Sequence, residues 1–229
     1  MSVKYERHNG RLKSTALIIF IRLPHSGKVK SRLALSLGAE KATNFYRLCA
    51  EYVFQESAKV SSEVRRYVFY SDRSDEEEIK QWAGPQFYFS PQAEGSLGIR
   101  IEHAFRYVFN EGAREAIILA SDVPDISAEI INDAIGALGY HDIVVGPAHD
   151  GGYYLLGMKR LHQELFRGIS WSTEKVFKQT LSLTKKLGLT TYCLPSLRDI
   201  DTEADLREWM KTAAYNAHPV LRYVKTVVW

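Results

Sequence analysis

The sequence predicts an α/β fold: a mostly parallel sheet with helices on both faces. Three observations predict it. Short apolar, β-branched or aromatic runs alternate with longer amphipathic stretches along the chain. Two of those runs, "TALIIFI" (15–21) and "EAIILASD" (115–122), lack polar alternation, as strands buried on both faces do. Glycine closes several amphipathic stretches, including "SDEEEIKQWAG" (74–84) and "LGIRIEHAFRYVFNEG" (97–112).

In order, a strand at 15–21 leads to a helical region reaching about Lys59. There Tyr46, Cys49, Val53 and Phe54 recur at helical spacing, and Gly38 is a break. "RRYVFYSD" (65–72) is the next strand and 74–84 a helix with acids in its first turn. "QFYFSPQ" is a short strand and 97–112 a helix. The strand 115–122 follows, then a helix opened by Ser127 as N-cap. "DIVVGPAHDGGYYLLGM" holds two strands around a glycine-rich turn. "STEKVFKQTLSLTKKLG" and "TEADLREWMK" are further helices around the strand "LTTYCLP". The last stretch, "HPVLRYVKTVVW" (218–229), reads as an appended strand or arm that would pair with a sheet edge or with a second subunit of a homo-oligomer. The organisation expected is a single domain, 1–229, with its core at 15–217.

The 229 residues carry a formal charge of +3, unevenly spread. Residues 1–32 hold Lys4, Arg7, Arg11, Lys13, Arg22, Lys28, Lys30 and Arg32 against Glu6, so the remainder is net acidic. A basic entrance on an acidic body suits a small anion better than a long polyanion, and there is no basic stripe interleaved with aromatics. Nucleic acid is therefore excluded as the expected partner. Two cysteines, Cys49 and Cys193, fit neither a disulfide framework nor a zinc site. No apolar signal core and no run of membrane-spanning length is present, so a cytoplasmic protein is expected.

The densest chemical signal is "RLPHSGKVKSRLALSLG" (22–38). Arg22, Lys28, Lys30 and Arg32 follow a buried strand with no acid among them. Ligands of open α/β sheets sit outside the carboxyl ends of strands. Gly27 lets backbone N–H groups approach an anion, and the following helix start adds partial positive charge. The loop is not a Walker A motif, because Arg22 stands where the first glycine is needed and Val29 follows Lys28. A solvated basic turn is the alternative, which Lys28 fits better than Lys30 and Arg32 do.

Acids end other strands. Asp122 stands where Pro124 stops the strand 115–122. Asp199 and Asp201 in "SLRDIDTEADL" share a face of an extended segment. An oxygen-only set facing a basic loop favours Mg²⁺ or Mn²⁺, with phosphate oxygens completing the shell. Capping roles compete: Asp122 for the next turn, Asp201 for the helix "TEADLREWMK". In "PAHDGGYYLLG", Asp150-Gly151-Gly152 is a tight turn that a substrate could approach, or simply a hairpin. "SWSTEKV" places Trp171 as pocket wall or core, and Ser172 as N-cap of a helix with Glu174 in its first turn.

Five segments in this order, "FIRLPHSGKVKSRL", "SDVPD", "GPAHDGGYYLLG", "WSTEKV" and "LRDIDTEADL", resemble the glycosyltransferase-A-like proteins called radical-SAM/selenodomain-associated transferases. More distantly they are similar to molybdopterin and phospholactate guanylyltransferases. The resemblance implies a three-layer α/β/α fold of the nucleotide-diphospho-sugar transferase type, with a divalent metal. It implies that Pro24, Gly27, Lys28, Lys30 and Arg32 hold nucleotide phosphates and that Lys30, Arg32 and Asp122 are catalytic. Asp122, Asp199 and Asp201 would bind the metal, and Asp150, Gly151, Gly152, Tyr153 and Trp171 would border the acceptor. The chain departs from the pattern at Arg22 (usually lysine), Ala120 (glycine), His149 (an acid) and Ser96 (aspartate).

Two chemistries follow within one class. A nucleotidyltransferase would join an NTP to a phosphorylated acceptor; a glycosyltransferase would use an NDP-sugar and a small acceptor. Ser96 and His149 are the features that favour a third reading, a nucleotide-binding scaffold without turnover.

Overall fold

The computed structural model describes residues 15–71, 76–212 and 218–228. The basic residues Lys4, Arg7, Arg11 and Lys13, with Glu6, lie outside the described residues, as does the start of the 74–84 helix. The strands are β1 (Thr15–Ile21), β2 (Arg65–Tyr70), β3 (Tyr88–Pro91), β4 (Glu115–Ala120), β5 (Ile143–Pro147), β6 (Tyr153–Met158) and β7 (Thr191–Cys193). They form one sheet in the order β3-β2-β1-β4-β6-β5-β7. All neighbours are parallel except β6, which runs antiparallel between β4 and β5. That exception is the hairpin expected around the Asp150 turn.

The helices are α1 (Ser31–Leu37), α2 (Ala39–Lys59), α3 (Glu76–Ala83), α4 (Leu97–Asn110), α5 (Ala128–Leu138), α6 (Val176–Lys186), α7 (Glu203–Thr212) and α8 (Pro219–Tyr223). Gly38, at φ 84°, separates α1 from α2. Side chains of β1 alternate between two cores. Leu17, Ile19 and Ile21 pack with α2, α3 and α5, while Ala16 and Ile18 pack with α4. Both faces of the sheet are thus covered, which is why β1 and β4 have no polar alternation. A smaller core joins Leu33 of α1, Phe45 and Cys49 of α2 and Trp209 of α7.

Three local expectations need correction. The segment 218–228 is helical: α8 is followed by a π-helical turn, Val224–Val228. Its β-branched residues read as a strand, but Val220, Leu221 and Val224 lie buried against α1, α2 and α7, and Pro219 occupies the first helical turn. Secondly, α6 starts at Val176, and Ser172 is no cap: it sits at φ 61° in the left-handed region. Thirdly, Asp201 does not cap α7. Thr202 and Asp205 do so reciprocally, the Thr202 N–H donating to Asp205 Oδ2 at 2.8 Å and the Asp205 N–H to Thr202 Oγ1 at 3.2 Å. Ser127 caps α5 as expected, accepting from the Ile130 N–H.

Candidate active site

The carboxyl ends of β1 and β4 open together at one end of the sheet, as their register requires. The loop after β1 ends at Lys30, which adopts a left-handed backbone (φ 47°, ψ 45°) immediately before α1. That conformation costs a non-glycine residue about 1–2 kcal/mol, and here it turns the side chain inward. The Lys30 ammonium donates to Asp122 Oδ2 at 2.9 Å and to Asp201 Oδ1 at 2.7 Å. Its side chain is only 4% exposed. Burial alone would favour neutral Lys30, but the two carboxylates outweigh it and raise its pKa.

This geometry changes the expected charge pattern. Lys30 does meet acids across the crevice, but it is already paired with them and is not a bare cation awaiting an anion. Arg32 is the opposite case: 69% exposed, with one guanidinium nitrogen 3.8 Å from Asp201 Oδ2. Arg22 and Lys28 are also exposed. Gly27 sits at φ 77° with open space where a Cβ would project, and Pro24 lies earlier in the same loop.

Asp122, Asp199 and Asp201 all line one cavity of about 240 Å³, together with Asp150, Gly152, Tyr153 and Trp171. Asp199 has its pKa raised from 3.8 to about 6, chiefly by burial and then by Asp150, with Asp122 and Asp201 adding to it. The described residues hold no group of three or more His, Cys, Asp or Glu gathered in metal-holding geometry. The expected three-aspartate site is therefore not preassembled: the Lys30 ammonium sits on two of its members. The donor set still suits a hard divalent cation, because it offers only carboxylate oxygens and Asp199 bears uncompensated repulsion from the others.

The acceptor-side residues are also brought together. The Gly152 N–H donates to Asp150 Oδ1 at 2.7 Å, fixing the turn. Gly151 is at φ 87°, and a Cβ there would fall 2.3 Å from the Glu174 carbonyl oxygen. The 148–152 turn thus packs directly beneath the Trp171–Lys175 segment, and the Phe177 N–H donates to the Gly151 carbonyl at 2.9 Å. Trp171 lies parallel to Phe166 and edge-on to Tyr153. Its Nε1 rests 2.3 Å from where a Cβ on Gly98 would stand, so the second residue of α4 is a glycine that admits the indole.

A second hollow of about 280 Å³ adjoins the first and shares Leu97, Ala120, Asp122, Tyr153 and Tyr154 with it. Arg22, Tyr46, Gln92 and Arg100 line it, and none but Arg22 was singled out from the sequence as chemistry. The Tyr46 hydroxyl accepts from the Arg22 N–H at 2.9 Å and lies 3.1 Å from Ser121 Oγ, tying the ends of β1 and β4 together. Gln92 donates to the Phe69 carbonyl at 3.0 Å. Of the two positions that depart from the resemblance on the acceptor side, His149 is exposed and Ser96 precedes α4 without a side-chain cap.

Residues 55–173, more than half of the chain, match the family model DUF2064, described as an uncharacterized protein conserved in bacteria. The chain belongs to this family. Among curated proteins none matches. A structure from Desulfovibrio desulfuricans G20, provisionally assigned as a nucleotide-diphospho-sugar transferase, is 30% identical with a TM-score of 0.87. That match covers 93% of this chain and 94% of the other. A CMP:2-keto-3-deoxy-manno-octonic acid synthetase complexed with CTP shares the fold at 13% identity and TM-score 0.55, covering 88% of this chain and 98% of that one. So does a Mycobacterium tuberculosis H37Rv protein in complex with manganese, at 13% identity and TM-score 0.53, covering 87% of this chain and 99% of that one. The three-layer fold is thus of the nucleotide-diphospho-sugar transferase type. No described helix is long and apolar enough to cross a membrane.

Proposed function

We propose that this DUF2064 protein is a metal-dependent nucleotide-using transferase. The observation that carries the reading is the junction of Lys30, Asp122 and Asp201, three residues remote in sequence, around one buried ammonium at the carboxyl ends of β1 and β4. The reading is supported by the fold, by the 30%-identical Desulfovibrio desulfuricans protein and by the CTP-bound synthetase of the same fold.

The donor's nucleoside would take the 280 Å³ hollow beside Tyr46 and Gln92, and its phosphates would lie toward Arg22, Lys28 and Arg32. Asp122, Asp199 and Asp201 would hold Mg²⁺ or Mn²⁺. A divalent ion bound there would offset the charge that develops on the departing phosphate. Lys30 holds Asp122 and Asp201 close to one point, and metal binding would require them to shift part of their bonding from the ammonium to the ion. The acceptor would sit in the 240 Å³ cavity between the Asp150 turn and Trp171. Binding both substrates across a shared wall supplies proximity, and no covalent intermediate is needed.

The test is a thermal-shift panel of NTPs and NDP-sugars with and without Mg²⁺, followed by assays for released pyrophosphate or NDP. A metal-dependent shift from one donor class, with release of its product, supports the proposal. No shift from either class with metal present defeats it, and binding without turnover makes the protein a scaffold instead.

A further inference from the structure

The two adjoining hollows differ in charge. The donor-side hollow carries Arg22 and Arg100. The acceptor-side cavity is lined by Asp122, Asp150, Asp199 and Asp201, and among the described residues no Lys, Arg or His lines it. Apart from Ser172 and Thr173, its remaining wall is apolar or aromatic and includes Trp171. The Lys30 charge is spent on Asp122 and Asp201. Lys30, the Arg32 guanidinium beside Asp201 and a divalent cation together only balance the four carboxylates, and the phosphates of a bound donor then make the surroundings negative. A phosphate or carboxylate on the acceptor would meet no basic side chain in the cavity wall, and would face the carboxylates and the donor's phosphates. Such like-charge juxtaposition is costly and is a common way to reject wrong partners.

We infer that the acceptor is a small hydroxyl compound without phosphate or carboxylate, neutral or amine-bearing, with an apolar or sugar-ring face laid on Trp171. This rests on the transferase reading above and deepens it. Trp171 suits the role because Gly98, Phe166 and Tyr153 fix its plane, so little ordering remains on binding. The volume of about 240 Å³ is below the usual range of about 300–1,000 Å³ for drug-sized ligands, so one ring-sized unit is accommodated. With Asp122, Asp199 and Asp201 assigned to the metal, the Asp150 carboxylate on the turn side remains to bond hydroxyl or ammonium donors.

The inference also separates the two chemistries, because nucleotidyl transfer to a phosphorylated acceptor needs an anionic nucleophile in this cavity. In the glycosyl transfer that fits, the acceptor hydroxyl oxygen bonds the donor sugar's anomeric carbon. The bond from that carbon to the diphosphate oxygen breaks, and its electron pair leaves with the NDP. The hydroxyl proton passes to a cavity carboxylate and then to water.

The experiment is saturation-transfer NMR on the full chain with Mg²⁺ and the nucleoside diphosphate that its thermal shift selects. Four matched probes are used: methyl glucoside, methyl glucosaminide, glucose 6-phosphate and glucuronate, each at about 1 mM, the upper end of ordinary KM values. Signal is expected from the first two, with the acidic pair at least about tenfold weaker, and the signal should fall in W171A. A W171A chain that fails to melt cooperatively is replaced by W171F, in which the smaller ring should weaken the same signal. The inference is overturned if the phosphate or carboxylate probe binds as well as the neutral ones. It is equally overturned if neither uncharged nor amino probe binds a chain that does bind nucleotide. A chain that binds no nucleotide at all fails the transferase reading instead, so the two failures are told apart.

Discussion

The loop after β1 and the pair of segments 148–152 and 171–175 both use backbone conformations that ordinary residues avoid, but to opposite ends. In the loop, the left-handed Lys30 buries a cation between Asp122 and Asp201 while Arg32, two residues on, stays in solvent. In the other region, the left-handed Gly151 and Ser172 bring two turns into contact and leave Asp150 facing a cavity without a cation. One region neutralises its acids internally and keeps spare positive charge outside. The other keeps negative charge inside. On the proposed reading, the contrast would let one crevice take a polyanion at one end and reject it at the other.

The contrast can be broken at its most rigid point. Gly151→Ala should cost the most stability, about 3 kcal/mol, because the new Cβ meets the Glu174 backbone and φ is left-handed. Urea unfolding measures it, and a loss under 1 kcal/mol would mean that the two turns separate freely.

Removing the buried cation should come second. Lys30→Met leaves Asp122 and Asp201 facing each other with only the exposed Arg32, 3.8 Å from Asp201, as counter-charge. Truncating one partner of a fully buried pair costs about 3–5 kcal/mol, but these carboxylates are 33% and 42% exposed, so about 2 kcal/mol is expected. Millimolar MgCl₂ should narrow the deficit, because a divalent ion can take over the ammonium's role. An undiminished deficit would argue that the acids do not accept the metal.

A smaller, pH-dependent effect sharpens the acidic side. Asp199 is raised from 3.8 to about 6 in the fold, so the folded state holds its proton more tightly than the unfolded chain. Its contribution to stability is therefore present at low pH and is lost as pH rises through about 6. Asp199→Asn should raise Tm at pH 8 by roughly 2–4 °C and leave it nearly unchanged at pH 4. Equal effects at both pH values would remove the repulsion from the account. The smallest effect should be that of Arg32→Ala, within about 0.5 kcal/mol, since an exposed pair at 3.8 Å adds little. Its effect on nucleotide affinity should instead shrink as salt rises.

The fold was legible because its signals are local. The unalternating strands, the glycine at 38 and the hairpin at 150 can each be read within a few residues. The junction of Lys30 with Asp122 and Asp201 was half legible. Strand ends bring those residues to one edge, but nothing nearby reveals the left-handed turn that buries Lys30. Tyr46 was hidden for a different reason: its helical spacing is that of a core residue, and only tertiary structure puts its hydroxyl against Arg22 and Ser121. The fit of Trp171 over Gly98 likewise joins distant segments that carry no mutual signal. The helix at 219–223 is not legible in the sequence, because β-branched residues are weak evidence for a strand once a segment is packed on helices.

The central claim is that Asp122 stands where nucleotide and metal meet. Mn²⁺ titration followed by EPR, with a nucleoside diphosphate present, tests it most directly on the wild type and on Asp122→Asn. Even residues one shell away from a metal change its affinity by about 10–100-fold, so the variant should bind Mn²⁺ at least tenfold more weakly while melting cooperatively. Unchanged Mn²⁺ affinity in a folded Asp122→Asn protein would contradict the account.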